Sequence, residues 1–165
     1  MATHYEHTII WDAPADAVYA MITDPAYQAQ RAQAGPPLRA ESTVTSEGEG
    51  ARISVFRLMR IEPPAFIKSF VGDSIGIQET QVWAGPRQAT LLVEIQRQPG
   101  DVRGTLRLDD ADGKTRVTIT AEIAVRVPVF GSKVEGYVAG ILERLLNHDA
   151  ELGETWLAAG GAAAS

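Results

Sequence analysis

The stretch from Gly131 to Leu157, GSKVEGYVAGILERLLNHDAELGETWL, constrains this chain more than any other. Successive helical residues turn by about 100°, which puts Val134, Val138, Ile141, Leu145, Leu152 and Trp156 on one face. Tyr137 and Leu142 fall at its margins, and Lys133, Glu143, Arg144, Asn147, Glu151 and Glu154 lie opposite. Ser132 and Glu135 have the Ser-x-x-Glu spacing of a capping box, which predicts where the helix starts. Such a helix runs roughly 40 Å at about 1.5 Å per residue. It needs an equally long apolar surface to lie on.

The preceding residues supply that surface as strands. Tyr5, His7, Ile9 and Trp11 alternate with Glu6, Thr8 and Ile10, which suits a first strand. Pro14 suits the first turn of a helix that buries Val18, Tyr19 and Ile22, with Asp16 beside its positive end. Asp24-Pro25 reads as an N-cap followed by proline at the first helical position, opening a second short helix that Gly35-Pro36-Pro37 stops.

From Leu38 the period changes to two, with turn signals at regular intervals. Leu38–Ser46 and Arg52–Ile61 flank the turn Glu47-Gly48-Glu49-Gly50, where glycine supplies positive φ at no steric cost. In the second of these strands Ile53, Val55 and Met59 point one way and Phe56 and Leu58 the other, which suggests a bulge. Glu62-Pro63-Pro64 breaks pairing, and the chain through Phe70 reads as a loop or a short irregular turn. Strands follow over Ile75–Trp83, Leu91–Gln96, Val102–Leu108 and Lys114–Val127, the last two joined by a loop over Asp109–Gly113. In the last strand Thr115, Val117, Ile119, Ala121, Ile123, Val125 and Val127 share one face. The expected architecture is α+β: a curved antiparallel sheet, two short helices after its first strand, and a long C-terminal helix across its concave face. One helix cannot fill a strongly twisted sheet from edge to edge, so a cavity between them is expected.

A chain of 165 residues makes one ordinary domain, expected over 1–158, with 159–165 as a flexible tail. The net charge of −6 argues against nucleic acid and against an anionic membrane surface as partners. No stretch reaches the apolar length of a membrane span, and the N-terminus lacks the pattern of a secretory signal. With no cysteine there is no disulfide, thiolate metal site or cysteine nucleophile, and the expected location is the cytoplasm.

The order strand, two helices, about six strands, long helix resembles the helix-grip fold of the START-related, or SRPBCC, superfamily. Asp12-Ala-Pro-Ala-Asp-Ala-Val-Tyr-Ala-Met-Ile-Thr-Asp24 looks like that superfamily's opening. Three further pieces look more narrowly like domain of unknown function 2505: Asp24-Pro-Ala-Tyr27, Phe70-Val-Gly-Asp73 through Gln81-Val-Trp83, and Val127-Pro-Val-Phe-Gly-Ser-Lys133. The resemblance implies a hydrophobic cavity and carries over no catalytic residue.

Motifs that would announce chemistry are sparse. Gly113-Lys114-Thr115 sits in a hairpin and lacks the earlier glycine of a phosphate loop. His4 and His7 fall on opposite faces of a strand and cannot share a metal there. Asp109, Asp110 and Asp112 crowd a turn too short for a calcium loop. No cofactor or metal is expected.

The expected partner is a small hydrophobic molecule, such as a lipid, sterol or polyketide-like compound. Its walls would be Leu91, Val93, Ile95, Leu106, Ile119, Ile123, Val138, Ile141, Leu142 and Leu145. Trp83 and Trp156 read either as further wall or as plain core. Four polar residues are candidates for the cavity: Glu79 and Gln81 if their strand face is the concave one, and His148 and Asp149 beside the helix stripe. Two other readings stand beside the carrier. One is a cyclase, lyase or hydrolase using His148, Asp149 or Glu79 as acid and base; the other is a stress-related interaction module with a filled core.

Overall fold

The computed structural model describes residues 2–160, the Phe70 side chain excepted. Seven strands form one antiparallel sheet: β1 (Thr3–Trp11), β2 (Arg39–Glu47), β3 (Gly50–Arg60), β4 (Ser74–Gly85), β5 (Gln88–Ile95), β6 (Gly100–Ala111) and β7 (Lys114–Val125). Their spatial order is β1-β7-β6-β5-β4-β3-β2. From β2 to β7 the sheet is a succession of hairpins, while β1 pairs with β7 at the far edge. The helices α1 (Ala15–Ile22) and α2 (Pro25–Ala32) carry the chain from one sheet edge to the other. Asp24 caps α2 through its side chain, accepting from the Ala26 amide at 2.8 Å, with Pro25 in the first turn.

The long helix α4 (Gly131–Ala158) lies on the concave face, closest to β1 and β7. The approach is tight at one end, where a Cβ built on Gly153 would stand 2.4 Å from the Trp11 ring. The Trp11 indole donates to the Ala150 carbonyl at 2.9 Å. At the other end Glu135 is buried, and its carboxylate accepts from the Val125 amide at 2.9 Å and from the Thr3 hydroxyl at 2.6 Å. One side chain thus ties α4 to β1 and to the last residue of β7.

Several expectations change. There is no capping box: Phe130 occupies the cap without a side-chain bond, Ser132 is exposed, and Glu135 turns into the sheet. The most buried line of α4 runs through Glu135, Val138, Leu146, Asp149, Gly153 and Trp156, rotated from the aliphatic stripe, whose Val134, Ile141, Leu145 and Leu152 are half-buried. The reason is that both carboxylates have partners and so take inward positions. Residues after Pro64 form a third short helix, α3 (Ala65–Val71), where a loop or a short irregular turn was expected. Its Ile67 is buried. Strand β3 has no bulge toward either neighbour; Arg57 simply takes the inward position between Val55 and Met59. The irregularity falls between β4 and β5, at Trp83/Gly85. Strand β6 runs to Ala111, leaving a two-residue turn with Asp112 at φ 55° and Gly113 at φ 83°. Strand β7 stops at Val125. Of the expected tail, Ala159 and Gly160 form an exposed turn and 161–165 lie outside the described residues.

Candidate functional site

Because α4 presses on β1 and β7, it stands away from the middle of the sheet, and three voids lie in a row beneath it. The first, about 50 Å³, is bordered by Leu91, Leu106, Ile119, Leu142 and the polar residues described below. The second, about 30 Å³, lies between Ile77, Val93, Ile95 and Val102 of the sheet and Val138, Ile141 and Leu145 of α4. The third, about 40 Å³, is bordered by Ile67 and Val71 of α3, Val127, and Val134 and Tyr137 of α4. Neighbouring voids share walls: Val93 and Leu142 between the first and second, Ile75, Ile95, Val138 and Ile141 between the second and third. Nine of the ten anticipated wall residues border a void. Ile123 does not; it is buried in the core beside them.

The first void ends on a group of charges. Arg31 on α2 donates through Nη2 to both oxygens of Glu79 on β4, at 2.7 and 2.6 Å, and through Nε to Oδ2 of Asp149 on α4 at 3.0 Å. Its Nη1 donates to Gln28 Oε1 at 2.9 Å, and Gln28 in turn donates to the Ile22 carbonyl at 2.7 Å. Gln81 donates to Glu79 Oε2 at 2.8 Å and accepts from the Trp83 indole at 2.9 Å. Arg57 stands 3.8 Å from Glu79 and donates to the carbonyls of Ala32 and Arg31 at 3.2 and 2.9 Å. All of these side chains are buried.

Burial alone would raise the pKa of Glu79, but Arg31 and Arg57, with hydrogen bonds from Arg31 and Gln81, outweigh it and bring it below the ordinary 4.5. Asp149 goes the other way. Burial and the Glu79 carboxylate raise it above 3.8 despite Arg31 and Arg57. Burial lowers Arg31, yet its two carboxylates and Tyr27 hold it above its usual value. Arg57 is lowered, first by burial and then by Arg31. Burial pushes the Tyr27 phenol up, with Asp149 adding to the effect. The site therefore holds one carboxyl that is harder to protonate than an ordinary one and one that is easier.

The Asp149 atom Oδ1 is buried and has no protein donor within reach. Among the described residues one other buried side-chain atom shares that condition, the Tyr5 hydroxyl, which borders none of the voids. Burial, with Glu143 nearby, pushes Tyr5 up to about 12.

Of the four polar candidates, Glu79, Gln81 and Asp149 meet at this end of the cavity, and β4 turns its Glu79 face inward. His148 does not join them; it is exposed on the outer side of α4, one residue and about 100° from Asp149. Trp83 and Trp156 are core, Trp156 packing edge-on against Tyr27 at 5.5 Å. Sequence reasoning missed Tyr27, Gln28, Arg31 and Arg57. A signal existed for each: Tyr27, Gln28 and Arg31 share one face of α2, and Arg57 has the parity of Ile53, Val55 and Met59. No group of three or more His, Cys, Asp or Glu among the described residues could hold a metal ion. Among the described residues no helix is long and apolar enough to cross a membrane.

A seven-stranded sheet gripped by a C-terminal helix is the START/SRPBCC helix-grip fold, and solved structures agree. TTHA0849 from Thermus thermophilus matches with TM-score 0.62 at 18% identity, over 95% of this chain and 99% of its own. The ZhuI aromatase/cyclase from Streptomyces sp. R1128 matches at 0.57 and 17% identity, over 94% and 90%. A START superfamily protein from Mycobacterium smegmatis matches at 0.59 and 13%, over 92% and 97%. At such identities the likeness is one of fold. The chain itself belongs to the family of proteins of unknown function DUF2505, whose model matches residues 6–157. None of the curated proteins matches the sequence.

Proposed function

We propose that this protein binds a small, largely apolar molecule between the sheet and α4, as a carrier rather than a catalyst, and that it does so in the cytoplasm. The observation that carries the reading is the row of three voids sharing walls, apolar along its length and closed at one end by the Arg31 cluster. A well-packed core has few voids larger than a water molecule. Each void is far smaller than the roughly 300–1,000 Å³ of a small-molecule site, so occupancy requires α4 or α3 to move outward and merge them. The second and third voids are lined mostly by aliphatic side chains that can repack, whereas lifting α4 as a whole works against the bonds to Asp149 from Arg31, to Ala150 from Trp11 and to Glu135 from Thr3 and Val125. Lipid, sterol and polyketide-like compounds fit this lining; burial at about 25 cal/mol per Å² supplies the driving force.

A second reading has one observation in its favour. Asp149 is a buried carboxyl with a raised pKa bordering a cavity, which is how acid–base groups of enzymes are often placed. ZhuI is an aromatase/cyclase of the same fold. Native mass spectrometry of protein purified from its own host tests the first reading. A retained small molecule of defined mass supports it. Absence of any adduct, together with failure to bind an apolar dye, overturns it.

A further inference from the structure

We infer that Asp149 selects the polar end of the ligand, and that it selects a hydrogen-bond donor, an alcohol or phenol hydroxyl, on an otherwise apolar body. The inference rests on the binding reading above and goes on to name the head group.

One acceptor in the cluster has unused capacity. In the cluster, Glu79 accepts from Arg31 on both oxygens and from Gln81 on one. Both ends of Gln81 and of Gln28 are engaged. Asp149 is held on one side only: Oδ2 takes the Arg31 Nε–H, while Oδ1 is buried without a protein partner. The side chain is 9% exposed and borders the first void. Above its native pKa Asp149 is a carboxylate, whose free oxygen offers lone pairs and no proton, so the group that completes it there must donate. Leaving a buried charged acceptor unmet is costly, which makes the choice discriminating. The other polar side chains at that void, Gln28, Arg31, Glu79 and Gln81, are already bonded and the remaining lining is aliphatic and aromatic, so a second polar group on the ligand would find little to bond.

The geometry also says what happens when the polarity is reversed. In Asp149→Asn the amide oxygen must stay on the Arg31 Nε–H, because both are fixed by the surrounding cluster. The amide nitrogen then takes the Oδ1 position and presents a donor to the void. The variant should prefer a ligand that can only accept.

The test uses two probes of equal size: 1-hexanol, which donates, and 1-methoxypentane, which only accepts. Binding to the full chain is followed by methyl NMR at Leu91, Leu106 and Leu142, at a pH above that at which Asp149 titrates. Wild type is expected to bind the alcohol about tenfold more tightly, and Asp149→Asn to bind the ether more tightly than the alcohol. If both probes bind wild type equally, the head-group inference is overturned while the cavity stands. If neither perturbs those methyls, the binding reading itself fails. The wild-type comparison needs no variant, so a misfolded Asp149→Asn protein would leave the inference open to refutation.

Discussion

Arg31 and Glu79, 48 residues apart in sequence, meet through a single guanidinium nitrogen that donates to both carboxylate oxygens, at 2.7 and 2.6 Å. The contact pins α2 onto β4 on the concave side of the sheet. Arg57 stands by the same carboxylate. Removing its charge therefore leaves two buried guanidiniums facing Asp149 alone. Glu79→Gln should lose about 3–5 kcal/mol of stability, the usual cost of breaking a buried pair from one side. Urea denaturation measures this, and a loss below about 1 kcal/mol would mean that water or rearrangement compensates.

The pH dependence follows from the opposite shifts of the two carboxyls. Glu79 lies below 4.5, so its contribution is present above 4.5 and is lost as pH falls through its native value. Asp149 lies above 3.8, so its contribution is present below 3.8 and is lost as pH rises through its native value. The stability of wild type relative to Asp149→Asn should therefore decline as pH rises from 3.8 through the native pKa of Asp149. Wild type relative to Glu79→Gln should show the reverse slope on the acid side of 4.5. Denaturation curves for the three proteins across that range decide it; parallel curves would contradict both shifts.

The run of hairpins, the tandem short helices and the long last helix were legible because each rests on local patterns: alternation, Asp24-Pro25, and the spacing of Val138, Ile141 and Leu145. What was not legible depends on partners distant in sequence. Glu135 looked like a capping residue because its spacing from Ser132 is local, whereas its bonds to Thr3 and Val125 come from the tertiary fold. Phe56 and Leu58 against Ile53, Val55 and Met59 suggested a bulge in β3, because an inward Arg57 makes sense only once Glu79 and the end of α2 are in place. His148 and Asp149 are adjacent, and one helical step separates a solvated ring from a buried carboxyl. Periodicity found the stripe but set its centre on the aliphatics, since it could not know that two acids have partners.

Glu135 supplies a third prediction. Replacing it with alanine removes the acceptor for the buried-side bonds of Val125 and Thr3, and should cost about 1–3 kcal/mol. Glu135→Gln keeps one acceptor oxygen and should cost less. Amide exchange at Val125 gives the local readout: it should speed up markedly in the alanine variant and less in the glutamine variant.

Ile141→Asp tests the wall of the cavity. Ile141 borders the second and third voids and is only half-buried, so a carboxylate there can turn toward water without unfolding the chain. The variant should remain soluble and folded by circular dichroism yet lose most of its affinity for an apolar dye. Unchanged dye binding would place the dye elsewhere.

At Gly153 two effects compete, and their sizes decide the outcome. Alanine is the better helix former by about 1 kcal/mol in a helix interior, which would favour Gly153→Ala. The added methyl, however, would stand 2.4 Å from one Trp11 ring carbon and 2.8 Å from its indole nitrogen. The ring cannot swing aside cheaply, because its N–H is bonded to Ala150 and Trp11 is buried among core residues. Overpacking of this kind costs about 1–3 kcal/mol, so the net change should be destabilising. It should also lift the C-terminal half of α4 from β1, beside the void that Trp11 borders. Thermal denaturation should show a lower Tm, and dye affinity should rise as that void widens. A stabilised Gly153→Ala protein would mean that α4 already rides higher on the sheet than the Trp11 contact implies.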